Sequence, residues 1–253
     1  VCARLRLFHE YDKGRCFVMS GFIGEFFGTM ILIVLGAGTG ASVNLKKTYG
    51  QGSSWTFISI AWGLAVTMGV YVAGALGSDG HLNPAVTIGF AVFGFFPWSS
   101  VVPYLLGQFL GAFVGAVLVI IQFYPHFKAT PSVEEGNTVG IFATRPAIAS
   151  PLFNFLSEVI ATWAFIFILL NLGDFTQGLK PFIVGTLITV VGMGLGTTTG
   201  FALNPARDWG PRLAHSLMPI PHKGSSEWSY AWVPMCGPIV GGILAAGLQV
   251  LVK

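Results

Sequence analysis

The chain carries Asn-Pro-Ala twice, in GHLNPAV at 80–86 and in GFALNPARDWGPR at 200–212. Asparagine is a favoured helix N-cap because its side-chain oxygen accepts a backbone N–H of the first turn. Proline suits the first helical position, where its missing N–H is not missed and its fixed φ is already helical. Each copy therefore predicts a helix start. The second copy also holds two arginines and an aspartate, directly after an almost wholly apolar stretch at 181–195. Capping accounts for one such motif; two copies and the misplaced charge require a larger explanation.

Composition supplies the setting. Of 253 residues, 53% are hydrophobic and 9% charged, against roughly 25% charged in ordinary globular domains. Mean hydropathy is +0.73. So few charges cannot cover a water-facing surface, and the lipid bilayer is the expected solvent. A net charge of +3 without a basic stripe excludes nucleic acid as a partner. Cys2, Cys16 and Cys236 have neither metal-ligand nor disulfide spacing, and no nucleophile–base arrangement is present. The sequence predicts no enzyme, no cofactor and no metal. Arg4, Arg6, Lys13 and Arg15 precede an apolar run too long for a signal peptide, which reads as a retained anchor with a cytoplasmic N-terminus.

Six stretches are long enough to span, at about 18–39, 56–77, 99–124, 151–173, 180–199 and 229–252. Two more, after Asn83 and Asn204, run about 12 residues before Pro97 and Pro219 and fit half-spanning helices. Landmarks recur in order: IGEFFGT around Glu25 with LSEVIAT around Glu158, the two Asn-Pro-Ala motifs, and GQFLGAFVG with GPIVGGILAAG. Each half holds three spans, an odd number, so the second half enters from the opposite side as an inverted repeat. The expected fold is an all-α membrane protein of one domain, 1–253, with repeats at about 18–124 and 151–252 and a connecting loop at 125–150. The glycine steps Gly107/Gly111/Gly115 and Gly237/Gly241 predict close helix packing, expected to join the two halves.

Such symmetry brings two positive helix ends face to face at the bilayer midplane. Each asparagine oxygen caps its helix, which leaves its NH₂ pointing away from it. Gly80, His81 and Leu82, like Gly200, Phe201, Ala202 and Leu203, must be non-helical, which at that depth requires protein or water around them. Their carbonyls would form a ladder of acceptors opposite an apolar wall.

On these residues the sequence resembles the aquaporin family, and most closely its glycerol-facilitator (aquaglyceroporin) branch. The likeness runs from Gly24-Glu25 to WVPMCGPIVGG, and the aspartate after the arginine in NPARDWGPR points to glycerol-conducting members. The resemblance implies a right-handed bundle and a homotetramer in the plasma membrane. It implies a selectivity filter of Trp62, Gly192, Phe201 and Arg207, with Gly192 leaving space where water-selective members place histidine. It makes Asn83 and Asn204 donors to solute, and His81 a pore-lining histidine. Glu25 and Glu158 become scaffolds that accept N–H groups of the unwound loops, although an acid pair in spans also suits a proton relay. Asp208 is expected to position the outer loop, and Arg212 has no assignment. Relative to bacterial facilitators, Asp79 looks like one extra residue, read as a solvated turn, and the 125–150 connection with Pro131, Glu134, Glu135 and Pro146 looks short.

The expected function is passive passage of glycerol and other small neutral solutes, with urea a candidate, together with water and against ions and protons. A proton- or ion-coupled carrier is the alternative, since carriers also use inverted repeats and broken helices.

Overall fold

The computed structural model describes residues 10–131, 138–176 and 178–253, with side chains from residue 19 onward. Arg4, Arg6, Cys2, Glu134 and Glu135, and the side chains of Lys13, Arg15 and Cys16, lie outside the described residues. Helices run in the order α1 (Glu10–Asn44), α2 (Trp55–Ala75), α3 (Pro84–Val92), α4 (Trp98–Gln122), α5 (Tyr124–Ala129), α6 (Val139–Phe142), α7 (Pro151–Asn171), α8 (Lys180–Leu195), α9 (Pro205–Leu217) and α10 (Trp232–Val252). No strand occurs among the described residues.

Five helices, Met19–Asn44, Trp55–Ala75, Trp98–Gln122, Pro151–Asn171 and Trp232–Val252, are long and apolar enough to cross a membrane. The sixth expected span, 180–199, is shorter as a helix: α8 has 16 residues, a rise of roughly 24 Å. Its last turns carry Gly192 and Gly194, Gly196 follows as the C-cap, and the chain continues through Thr197–Thr199. Large apolar side chains such as Phe57, Leu64, Leu106, Val190 and Leu251 face outward, as lipid rather than water requires.

The half-length helices differ from the expected 12 residues in opposite directions. α3 has 9 and is stopped by Gly94 at φ 77; α9 has 13 and carries Pro211 inside it. Within each half the long helices pair in the same way, α1 on α4 and α10 on α7.

The glycine steps do not join the halves. A Cβ on Gly107 would lie 2.6 Å from Phe22 O, and one on Gly115 2.7 Å from Met30 O, so both press α4 onto α1. Gly111 meets Phe26 O in the same way, and Gly241 would approach Val159 O at 2.5 Å on α7. The four-residue spacing makes a groove filled by the neighbouring helix backbone, and here that neighbour belongs to the same half. The halves meet instead where α2 crosses α8, at Gly63 and Gly185, and where α3 and α9 pack on α10 and α4.

Candidate functional site

Both Asn-Pro-Ala motifs cap a helix. Asn83 Oδ1 accepts Ala85 N at 2.8 Å, and Asn204 Oδ1 accepts Ala206 N and Arg207 N at 3.0 and 3.1 Å. The side-chain amides are not left free, as the sequence suggested. Asn83 Nδ2 donates to Leu203 O at 2.8 Å and Asn204 Nδ2 to Leu82 O at 2.6 Å. The two helix starts are thus cross-tied, and one N–H of each amide remains for the lumen.

The loops entering these caps bend back through Gly80 (φ 70) and Leu82 (φ 52), and through Gly200 (φ 84), Phe201 (φ 41) and Leu203 (φ 53). Left-handed backbone costs a non-glycine residue roughly 1–2 kcal/mol, so something must hold it. The buried glutamates sit there. Glu25 accepts His81 N at 2.9 Å and Leu82 N at 2.6 Å, and Glu158 accepts Ala202 N at 2.9 Å and Leu203 N at 3.0 Å. Ser78 and Gln108 complete the shell of Glu25, and Thr199 that of Glu158. Both carboxylates are 0% exposed. Their oxygens are occupied by local donors, a satisfied buried arrangement.

A cavity of about 750 Å³ runs past both caps. Its lining includes backbone of the two unwound loops, at Gly80, His81, Leu82, Ala202 and Leu203, and both asparagines. Leu32, Val66, Val70, Phe165 and Ile188 supply apolar surface to the same cavity. Asp79 and Lys180 also line it; Asp79 is exposed, and its backbone N–H donates to Tyr104 Oη at 3.1 Å. His81 packs against Phe90, Phe96 and Tyr104, with Nδ1 3.1 Å from Thr87 Oγ1.

Trp62, Phe201 and Arg207 all line the cavity. The Arg207 guanidinium lies over the Trp62 ring, 3.9 Å from its centroid, a cation–π contact. Its Nη1 donates to Phe142 O at 3.2 Å. The remaining guanidinium N–H groups have no protein partner among the described residues, in a setting where only 8% of Arg207 is exposed. An aromatic corner beside a fork of unclaimed donors matches a solute with carbon on one edge and hydroxyls on the other.

Two expected site residues lie outside the cavity lining. Gly192 sits behind Phe201: a Cβ there would meet Phe201 Cζ at 3.0 Å, and its carbonyl accepts Trp55 Nε1 at 2.9 Å. The space beside its Cα is bordered by the Phe201 ring and by Ser59 Oγ, 3.2 Å from an added Cβ. Gly200 faces Thr144, whose Cβ would stand 3.4 Å from an added Cβ.

Sequence reasoning missed what lies beneath Arg207. Asp208 is 0% exposed and pairs with the equally buried Arg212, Nε to Oδ1 at 2.8 Å. Asp208 Oδ2 also accepts Thr144 N and Thr144 Oγ1, at 2.7 and 2.8 Å. The i,i+4 spacing of Asp208 and Arg212 was a visible signal for the ion pair. Nothing local pointed to Phe142, Thr144 or the Trp55 ring.

Comparison with known proteins agrees with this fold. Residues 15–248 match the family described as Major intrinsic protein. The chain is 68% identical over 235 residues, 93% of its length and all of the relative, to glycerol uptake facilitator protein 2 of Lactiplantibacillus plantarum. It is 50% identical over 230 residues, 90% of the chain and 97% of the relative, to the glycerol uptake facilitator protein of Streptococcus pneumoniae. Among solved structures, the aquaglyceroporin of Plasmodium falciparum is similar at a TM-score of 0.80 and 31% identity, covering 92% of this chain and 95% of that one.

Proposed function

The chain belongs to the major intrinsic protein family, and from that premise we propose that it is a passive channel for glycerol and other small neutral solutes, including water and urea. The observation that carries this reading is the Arg207 fork with unclaimed donors, set against Trp62 and Phe201 in one cavity. A polyol lays its carbons on the rings and its neighbouring hydroxyl oxygens on the guanidinium. Asn83 and Asn204 each offer one N–H at the middle of the path. Carbonyls of the two unwound loops accept hydrogen bonds from the solute hydroxyls. Two helix N-termini, each worth roughly half a positive charge, and Arg207 together repel cations and protons.

In this reading Glu25, Glu158 and Asp208 are scaffolds. The whole of 1–253 is one channel unit of two repeats, at 18–124 and 151–252. Four copies assemble in the plasma membrane with cytoplasmic N-termini. The hydrogen-bond shells of Glu25 and Glu158 support the passive reading over a coupled carrier, because both carboxylates are held by backbone and hydroxyl donors. Stopped-flow light scattering on proteoliposomes tests it. Glycerol flux is expected to rise linearly with gradient, without dependence on pH or Na⁺. Saturating flux that requires either ion would overturn the channel and restore the carrier.

A further inference from the structure

We infer that Thr144, clamped by Asp208 and Arg212, is a positioning residue that fixes Arg207 and the backbone before Phe201, and thereby the discrimination among solutes by length. The inference deepens the channel reading and rests on it.

All polar groups of Thr144 are committed to one ion pair. Its N–H and Oγ–H both donate to Asp208 Oδ2, at 2.7 and 2.8 Å, and its carbonyl accepts Arg212 Nη2 at 2.9 Å. Arg212 Nη2 also donates to Asp208 Oδ2 at 3.0 Å, and Nη1 continues to Ser226 O and Glu227 O at 2.8 and 3.1 Å. Thr144 is 4% exposed, and Phe142, Asp208 and Arg212 are 0% exposed. Two residues earlier on the same segment, Phe142 O accepts Arg207 Nη1 at 3.2 Å. Thr144 is also the wall against which Gly200 is seated, directly before Phe201. The end of α6 and the chain just after it thus carry the partner of Arg207 and the wall beside Gly200, the neighbour of Phe201.

The mechanical consequence follows from reach. Two residues of chain span at most about 7 Å, so a shift of Thr144 moves the Phe142 carbonyl with little attenuation. That carbonyl holds one arm of a planar fork, and the planar fork then aims the other arms. Bidentate contact with two neighbouring oxygens is sensitive to that aim. Among the described residues the first Asn-Pro-Ala loop has no such strap. There the fourth residue after the asparagine is Thr87, which donates to Asn83 O at 3.1 Å and meets His81 and Gln108 on adjacent helix and loop.

The test uses full-length protein in proteoliposomes. Permeabilities to water, glycerol and a five-carbon polyol are measured for wild type, Thr144→Ser and Thr144→Val, normalised to reconstituted protein. Thr144→Val keeps volume and the backbone bond to Asp208 and removes only the hydroxyl donor. Losing one hydrogen bond to a charged group predicts a fall of about threefold or more in the glycerol-to-water ratio, with a flatter glycerol-to-five-carbon ratio. Thr144→Ser is expected to keep wild-type ratios. Arg212→Lys, which retains charge without the fork, gives a second reading in the same direction. Wild-type ratios in Thr144→Val, or equal shifts in both threonine variants, would overturn the positioning role alone. A wild type that passes water and no glycerol would sink this inference and its parent together.

Discussion

The two Asn-Pro-Ala loops share a backbone and differ in what they carry. Each has a capping asparagine, a buried glutamate holding two loop N–H groups, and an amide tied to the opposite loop. The third residue after the asparagine is Val86 in the inner loop and Arg207 in the outer, and both line the cavity. The fourth is Thr87 in one and Asp208 in the other. In the proposed reading, the symmetric parts make the path and the asymmetric parts choose what passes. Symmetry alone provides a pore with matching walls and no preference along its length.

The strongest way to break that comparison is to make the outer loop copy the inner one. Arg207→Val removes the donor fork and the fixed charge, and leaves Phe142 O without its partner. With charged hydrogen bonds worth about 1.5–3 kcal/mol each, the glycerol-to-water permeability ratio is expected to fall at least about tenfold, and a pH-sensitive dye inside the vesicles is expected to report proton leak. An unchanged ratio would remove Arg207 from the filter.

The scaffolds are next. Glu25→Ala and Glu158→Ala each orphan two buried backbone donors, on the order of 2–6 kcal/mol. Glu25 also holds Ser78 and the Gln108 amide, against Thr199 alone for Glu158. Thermal unfolding in detergent should therefore rank Glu25→Ala as the more damaging. Equal losses would mean the extra shell contributes nothing.

Smaller effects sharpen the outer half. Gly192→Ala places a methyl 3.0 Å from Phe201 Cζ, whereas Gly194 has nothing within 4 Å of an added Cβ. The first should lower glycerol flux severalfold relative to water by shifting the ring, and Gly194→Ala should leave both unchanged. Identical behaviour of the two would place Phe201 outside the constriction. Last comes Arg145→Ala, which removes a 3.4 Å pair with Glu227 in which the arginine side chain is 47% exposed. Surface pairs contribute about 0–1 kcal/mol, so neither stability nor selectivity should move measurably. A large effect would extend the outer strap to the surface.

Much of this was legible in order along the chain. A bilayer protein follows from charge content, helix starts from Asn-Pro, and the repeat from the order of motifs. These are local properties: a cap is satisfied within three residues, and a span is a run of apolar side chains. The glycine steps show where that legibility stops. Their spacing announces close packing, yet it does not say which helix fills the groove, and the partner proved to lie within the same half. Gly192 shows the same limit, since a missing side chain marks space without saying who occupies it.

Sequence by itself thus determined the solvent, the long helices and the two half-helix starts, while the short helices α5 and α6 stood where it read only a loop. Only the tertiary structure decided that each asparagine amide ties to the opposite loop, that the Phe201 ring lies against Gly192, and that Thr144 is clamped by Asp208 and Arg212. The physical reason is range. Capping and hydropathy act between neighbours in the chain. The cross-ties join groups separated by 120, 122 and 64 residues, and such partners exist only once the helices have brought their backbones together.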